Sequence, residues 1–264
     1  MTVPSRPASS SRPTRRHQAS GDRTTAPTAL AVDLGSCTVG MWAARRGTVS
    51  SRCGDPYASA GTLVRRGRVV DVDGCVALLS HLARRYAQPV PPGGVVVACR
   101  PVLASQAEQD ATRRVLDAVF APARVRFLDT VRAAAIGAGA TAGTLLVVDI
   151  GAELTEVALL TNGRVVAARR AEIGTRDLSS GATVDLISDN VVRHIDDLRA
   201  GPDVLAAMAR GLLLVGDGAL HPGLAPALSG MLRVGVHGAA APRTAALNGA
   251  GLAAMSLLRH PGGV

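Results

Sequence analysis

The sequence predicts an α/β protein whose two similar halves face one another across a cleft. Three observations carry that expectation. A strand, an acid, a glycine turn and a second strand occur twice, as "LAVDLGSCTVGMWA" and as "LVVDIGAELTEVALL". The two copies align without gaps over their first strand and turn, the mark of an internal duplication. Between and after them, continuous β-branched runs such as "GGVVVACRP" alternate with segments of helical spacing, as in sheets covered by helices. At 264 residues, 47% of them hydrophobic, the chain has material for one large domain or two small ones. Aromatics are only 2%, so its core must be built from Val, Leu, Ala and Ile.

The elements follow in order. Residues 1–28 are rich in Ser, Pro, Thr and Arg, lack apolar periodicity and are expected to form a disordered tail. The first half, 29–142, opens with a strand over 30–34, a turn at Gly35–Ser36 and a second strand over 39–44. Residues 47–68 read as irregular, with Gly54, Pro56 and Gly61. "RVVDVDGCVALLSHLARRY" gives a strand ending near Val72 and a helix from about Asp73, with Leu78, Leu79, Leu82 and Tyr86 on one stripe. A buried strand, a helix with Ala111, Val115 and Val119 on one face, and the strand "RVRFLDT" come next. In "VRAAAIGAGA", Ala133 to Ala135 with Gly137 and Gly139 make a small-residue helix able to approach another backbone closely. The second half, 143–258, repeats strand, turn and strand, and "GRVVAARRAEI" adds a third strand. A helical stretch over 183–209 breaks at Gly201–Pro202, "GLLLVGDGALHPGLAPAL" reads as strand, Gly-rich turn and helix, and "PRTAALNGAGLAAMSLL" is a closing helix. Residues 259–264 are a tail.

Composition excludes several functions. The net charge of +9 comes from 29 arginines, with no lysine, against 20 acids. Nucleic-acid binding would want basic clusters interleaved with aromatics, and those are missing. Cys37, Cys53, Cys75 and Cys99 are far apart and without CxxC spacing, which disfavours zinc and a disulfide framework. The six histidines lack ligand-spaced neighbours and read as structural or surface residues. No stretch reaches membrane-spanning length, so a cytoplasmic protein is expected. The Arg-rich tail offers at most a weak, peripheral attraction to anionic lipid.

The turns suggest chemistry. An Asp ending a buried strand is costly unless its charge is used. Asp33 and Asp149 could hold a hydrated Mg²⁺ between facing hairpins. Amides near Ser36–Thr38 and Gly151–Glu153 could bind phosphate oxygens, and a base or ribose could rest on the bare backbone of Gly216–Gly218.

In this order the motifs resemble those of the actin and heat-shock-chaperone ATPase superfamily, and most closely the bacterial actin MreB. "AVDLGSCTVGMW" is similar to the first phosphate motif, "VVDIGAELTEVAL" to the second, "FLDTVRAAAIG" to the connecting motif and "LLLVGDGALHPGLAPAL" to the adenosine motif. "APRTAALNGAG" resembles the closing helix, and the likeness spans about residues 28–258. It implies two ribonuclease-H-like halves of the actin ATPase fold. It also implies ATP and Mg²⁺ contacts from Asp33, Gly35, Ser36, Cys37, Thr38, Asp149, Gly151, Ala152, Gly216, Gly218 and Ala219, with the metal on Asp33 and Asp149.

The departures weaken that inheritance. Where the family has successive glycines and threonine, this chain has Ala152, Glu153 and Leu154. A carboxylate about 4 Å from a phosphate charge costs roughly 4 kcal/mol at an effective dielectric of 20. Thr130 occupies the place of the water-activating glutamate, with Asp129 one step upstream, and threonine is a poor general base. Asp217 interrupts the glycines of the adenosine motif. Both outer subdomains are expected to be reduced or absent, for only about 47–62 and 175–210 are available to them. The resemblance therefore implies a protein of cell shape or cell-wall assembly that works through protein contacts, including contacts with a full-length MreB. Its ATP binding and hydrolysis would be weak or lost. The alternative is a working small ATPase switch; a sugar-kinase-like transferase is a minor option, with no residue suggesting a sugar pocket.

Overall fold

The computed structural model describes residues 28–52, 62–198 and 202–260. The expected N-terminal tail, except residue 28, lies outside them, as do Cys53 and residues 261–264. Strand β1 (Ala29–Leu34) turns at Gly35, whose amide donates to the Thr38 carbonyl at 3.0 Å, into antiparallel β2 (Thr38–Ala43). β3 (Gly47–Arg52) pairs with β2 in a region read as irregular. Its residues, Gly-Thr-Val-Ser-Ser-Arg, carry little apolar signal, because an edge strand needs only the ladder and a few contacts.

β4 (Val64–Arg65) and β5 (Arg68–Val69) form a small hairpin around Arg66 and Gly67, both at positive φ (48° and 76°). That left-handed pair is the geometry of a tight two-residue turn. The expected strand to Val72 is thus only two residues long. Helix α1 (Val72–Arg84) starts a residue earlier than expected because the Asp71 carboxylate caps it, accepting from the Gly74 amide at 2.8 Å. Its buried stripe is Cys75, Leu78, Leu79 and Leu82, and the Tyr86 hydroxyl beyond it donates to the Met41 and Gly47 carbonyls.

β6 (Val95–Arg100) runs parallel to β1. Helix α2 (Gln106–Phe120) opens on a capping box between Ser105 and Glu108 and buries Val115, Leu116 and Phe120. Ala111 and Val119, expected on one face with Val115, are half-buried. β7 (Arg124–Asp129) completes a five-stranded sheet in the order β3-β2-β1-β6-β7.

The second half repeats this plan. β8 (Thr144–Ile150), β9 (Thr155–Thr161) and β10 (Arg164–Ala171) form the antiparallel meander. After a 3₁₀ turn (Thr175–Ser180), α4 (Val184–Leu198) and α5 (Pro202–Arg210) lead to β11 (Leu212–Val215), parallel to β8. A 3₁₀ turn (Asp217–Leu220), α6 (Leu224–Leu232) and β12 (Val236–Gly238) close the sheet β10-β9-β8-β11-β12. β12 was not foreseen, since three residues containing His and Gly give no apolar run. α4 and α5 pack on their own sheet. Among the described residues, no outer subdomain stands between β10 and β11, and the only elements between β3 and α1 are the strands of the β4–β5 hairpin.

The layers explain the cleft. One outer core joins the first sheet to α1 and α2, and another joins the second sheet to α4, α5 and α6. Between the sheets lie α3 (Thr130–Gly137) and α7 (Ala245–Arg259), within a single inner core shared by both halves. α7 lies against β1, β2 and β6, while α3, the last helix of the first half, reaches across to β8 and β9. The two helices touch backbone to backbone: a Cβ at Gly249 would strike the Ala133 carbonyl, and one at Gly137 the Ala245 carbonyl. That is the close approach expected from the small-residue helix.

Candidate functional site

Strand alternation builds the site. Ala29 and Ala31 face the inner core while Leu30 and Val32 face the outer one, so Asp33 continues the inner row. Leu145 and Val147 do the same for Asp149, Val97 for Cys99, and Ala158 and Leu160 for Glu156. Where the strands end, these polar groups stand in a cleft between the halves that holds about 120 Å³, roughly ten times the 10–15 Å³ needed for one water.

Of the residues expected at the site, Asp33, Gly35, Ser36, Cys37, Thr38, Asp149, Gly151, Ala152, Gly216 and Thr130 line the cleft together. Gly218, Ala219 and Asp129 are not part of that lining. Gly218 packs on the Ile150 side chain, so it serves the fit of the turn against β8. Gly216 has φ 78° and lies against the Asp149 carboxylate, where any Cβ would collide with it. The sequence reading missed Cys99, Glu156, Gly67, Pro101 and Arg243. Glu156 had a signal, an acid in phase with Ala158 and Leu160. Arg243 and Gly67 had none, because only the tertiary fold brings their loops here.

Burial dominates the electrostatics. It pushes Asp33 up to about 6, although that half-buried residue lines the cleft. Burial, then the neighbouring charges of Asp33 and Asp217, pushes Asp149 up to about 7. Glu156 is raised well above the usual carboxylate range by burial and by Asp149, although the Val102 amide donates to it at 2.6 Å. Burial, followed by Asp33, Asp149 and Glu156, also raises the Cys99 thiol.

Two desolvated aspartates facing one space suit a cation. No group of three or more His, Cys, Asp and Glu side chains suited to a metal ion occurs among the described residues. A Mg²⁺ ion here would thus take one or both aspartates and complete its shell with water and phosphate oxygens, as that ion ordinarily does. The donor set fits on those terms.

The phosphate side fits less well. Gly151 donates its amide to the Leu154 carbonyl at 2.9 Å and so forms its own tight turn. Glu153, expected to project a bare charge, instead accepts from the Arg66 amide at 3.0 Å and pairs with Arg176 at 3.0 Å. Its charge is partly neutralised, yet it holds the tip of the second hairpin. Thr130 donates to the Arg100 carbonyl at 2.9 Å, and Asp129 pairs with the Arg100 guanidinium at 2.9 Å. Thr130 thus lines the cleft with its hydroxyl proton engaged, and Asp129 lies outside the cleft lining. On the adenosine side, Asp217 pairs with Arg243.

The MreB/Mbl protein family model matches residues 59–184. MreB5 of Spiroplasma citri bound to AMPPNP superposes with a TM-score of 0.73 at 15% identity, covering 89% of this chain and 98% of that one. The same protein bound to ADP gives 0.74 at 15% identity, covering 90% and 99%. The ethanolamine utilization protein EutJ of Carboxydothermus hydrogenoformans gives 0.61 at 19% identity, covering 86% and 89%. No curated protein sequence matches the chain. The structural likenesses establish the fold. Two facing sheets of one strand order, with acid-tipped hairpins across a cleft, give this chain the fold of those structures, and within it residues 59–184 are similar to the MreB/Mbl family.

Proposed function

We propose that this protein acts in cell shape or cell-wall assembly through contacts with other proteins, a full-length MreB among them. In this reading it is a cytoplasmic protein, in peripheral contact with a membrane at most, with weak or lost ATP binding and hydrolysis. The described residues include no helix long and apolar enough to cross a membrane. The observation that carries the reading is the second phosphate hairpin. Glu153 and Leu154 line the cleft at that hairpin; a carboxylate there would repel a γ-phosphate, and leucine offers it no hydroxyl. The tethering of Thr130 and Asp129 to Arg100 supports weak hydrolysis in particular.

One observation favours the alternative, a small ATPase switch. Asp33 and Asp149 remain buried, paired and suited to a cation, and the MreB5 structures hold AMPPNP and ADP. Thermal unfolding with ATP and Mg²⁺ separates the two. A ligand at 100 times its dissociation constant adds about 2.7 kcal/mol of stability. We expect micromolar ATP–Mg²⁺ to leave the melting temperature of the wild type unchanged, and Glu153→Gly to gain a measurable shift. A clear shift in the wild type would establish the switch instead.

A further inference from the structure

The cleft has a second set of contacts that no phosphate chemistry requires. The turn of the β4–β5 hairpin, in the first half, lies over the second phosphate hairpin. Arg66 alone makes five contacts there. Its amide donates to Glu153 Oε2 at 3.0 Å, and its guanidinium reaches the Glu153 carbonyl at 3.2 Å and the Glu172 carbonyl. It also pairs with Asp177, at 3.0 Å to Oδ1 and 3.4 Å to Oδ2.

Beside it, Arg68 pairs with Glu172 at 2.6 Å and with Glu108 at 2.8 Å. Arg170 of the second half returns to Glu108 at 3.4 Å. Burial alone would raise the Glu108 carboxyl, but the Ser105 amide and these arginines hold it down to about 2. Gly67 at the hairpin tip is pressed between Pro101 of the first half and Leu154 of the second. Two of the three residues that depart from the phosphate pattern, Glu153 and Leu154, are therefore among those that grip this turn.

We propose that Arg66, Arg68 and Glu108 of the first half, with Glu153, Arg170, Glu172 and Asp177 of the second, form an ionic latch that holds the cleft shut without nucleotide. In an actin-type fold a nucleotide bridges the two hairpins from within. Here side chains of the β4–β5 turn in the first half reach the second hairpin and the segment after β10 across the mouth. The Arg66, Asp177, Glu153 and Glu108 side chains keep only 26%, 23%, 15% and 15% of their exposure, so solvent screens them less than an open surface pair. Opening the cleft separates the hairpin from Glu153, Glu172 and Asp177 together, so the network acts on one motion. This proposal concerns the nucleotide-free protein, and its failure would leave the reading of weak ATP affinity standing.

Two buried cysteines supply the test. Cys99 lines the cleft, whereas Cys75 lies in the outer core beneath α1. In full-length protein carrying Cys37→Ser and Cys53→Ser, a soluble maleimide reports cleft opening at Cys99 and general unfolding at Cys75. The latch predicts slow labelling of both at low salt. Arg66→Ala, Asp177→Asn or 1 M NaCl should accelerate Cys99 by about five-fold or more while leaving Cys75 unchanged. Equal Cys99 rates in the parent and in both variants would overturn the latch. So would joint acceleration of Cys99 and Cys75 in both variants, which would mark the network as ordinary stabilisation.

Discussion

At the scale of single residues, Asp149 shows what burying a carboxyl costs. Its carboxyl is held at about 7 in the folded chain, by burial first and by Asp33 and Asp217 next. An unfolded Asp titrates near 3.9. The native state thus keeps a proton that the unfolded chain releases. The stability this contributes is complete below about pH 4 and is lost as pH rises through about 7. A gap of three units caps the effect at about 4 kcal/mol, and because Asp33 titrates with it we expect about 1–2. Asp149→Asn should therefore be more stable than the wild type at pH 7.5 and equal to it near pH 4, as urea titrations at the two pH values would measure. Legibility at this scale was uneven. Asp33, Asp149 and the glycine turns were readable because strand alternation and turn chemistry are local. Glu153 was readable as an intrusion but not as a partner, because Arg66 and Arg176 meet it only through folding.

At the scale of elements, helix α3 against helix α7 is the contact the fold leaves least room to alter. Gly249 sits on the Ala133 carbonyl, so Gly249→Ala forces backbone apart and should cost about 1–3 kcal/mol or more. Gly230, mid-helix in α6, has open space where its Cβ would go, so Gly230→Ala should gain roughly 0.5–1 kcal/mol from helix propensity. The same substitution thus has opposite signs in two helices, and chemical denaturation of both variants checks the pair. Long, apolar or strongly periodic elements were legible: β1, β2, β6, β8, β9, α2 and α4 all give clear patterns. β3, the β4–β5 hairpin and β12 were not. They are short or edge elements whose residues look like loop in sequence and become strand only because a neighbour offers a ladder.

At the scale of the whole molecule, the duplication is visible in the chain and exact in topology, yet the halves are not modules. The inner face of the first sheet is covered by α7, which closes the second half, and α3, which closes the first, reaches the second sheet. Residues 28–142 expressed alone should bind a hydrophobic dye and show poorly dispersed amide resonances. Adding 143–260 should restore a folded complex. A fragment 28–142 with a dispersed, cooperative spectrum of its own would contradict the shared core.

The same crossing sets a timetable for synthesis. β1, β2 and β6 leave the ribosome early, but the helix that shelters their Ala and Val face is the last element of the fold. Residues 101–244 must be translated in between, an interval on the order of ten seconds at ~5–20 residues per second. For that time the nascent sheet has an adhesive side, so its cotranslational history depends on what binds that side before α7 arrives.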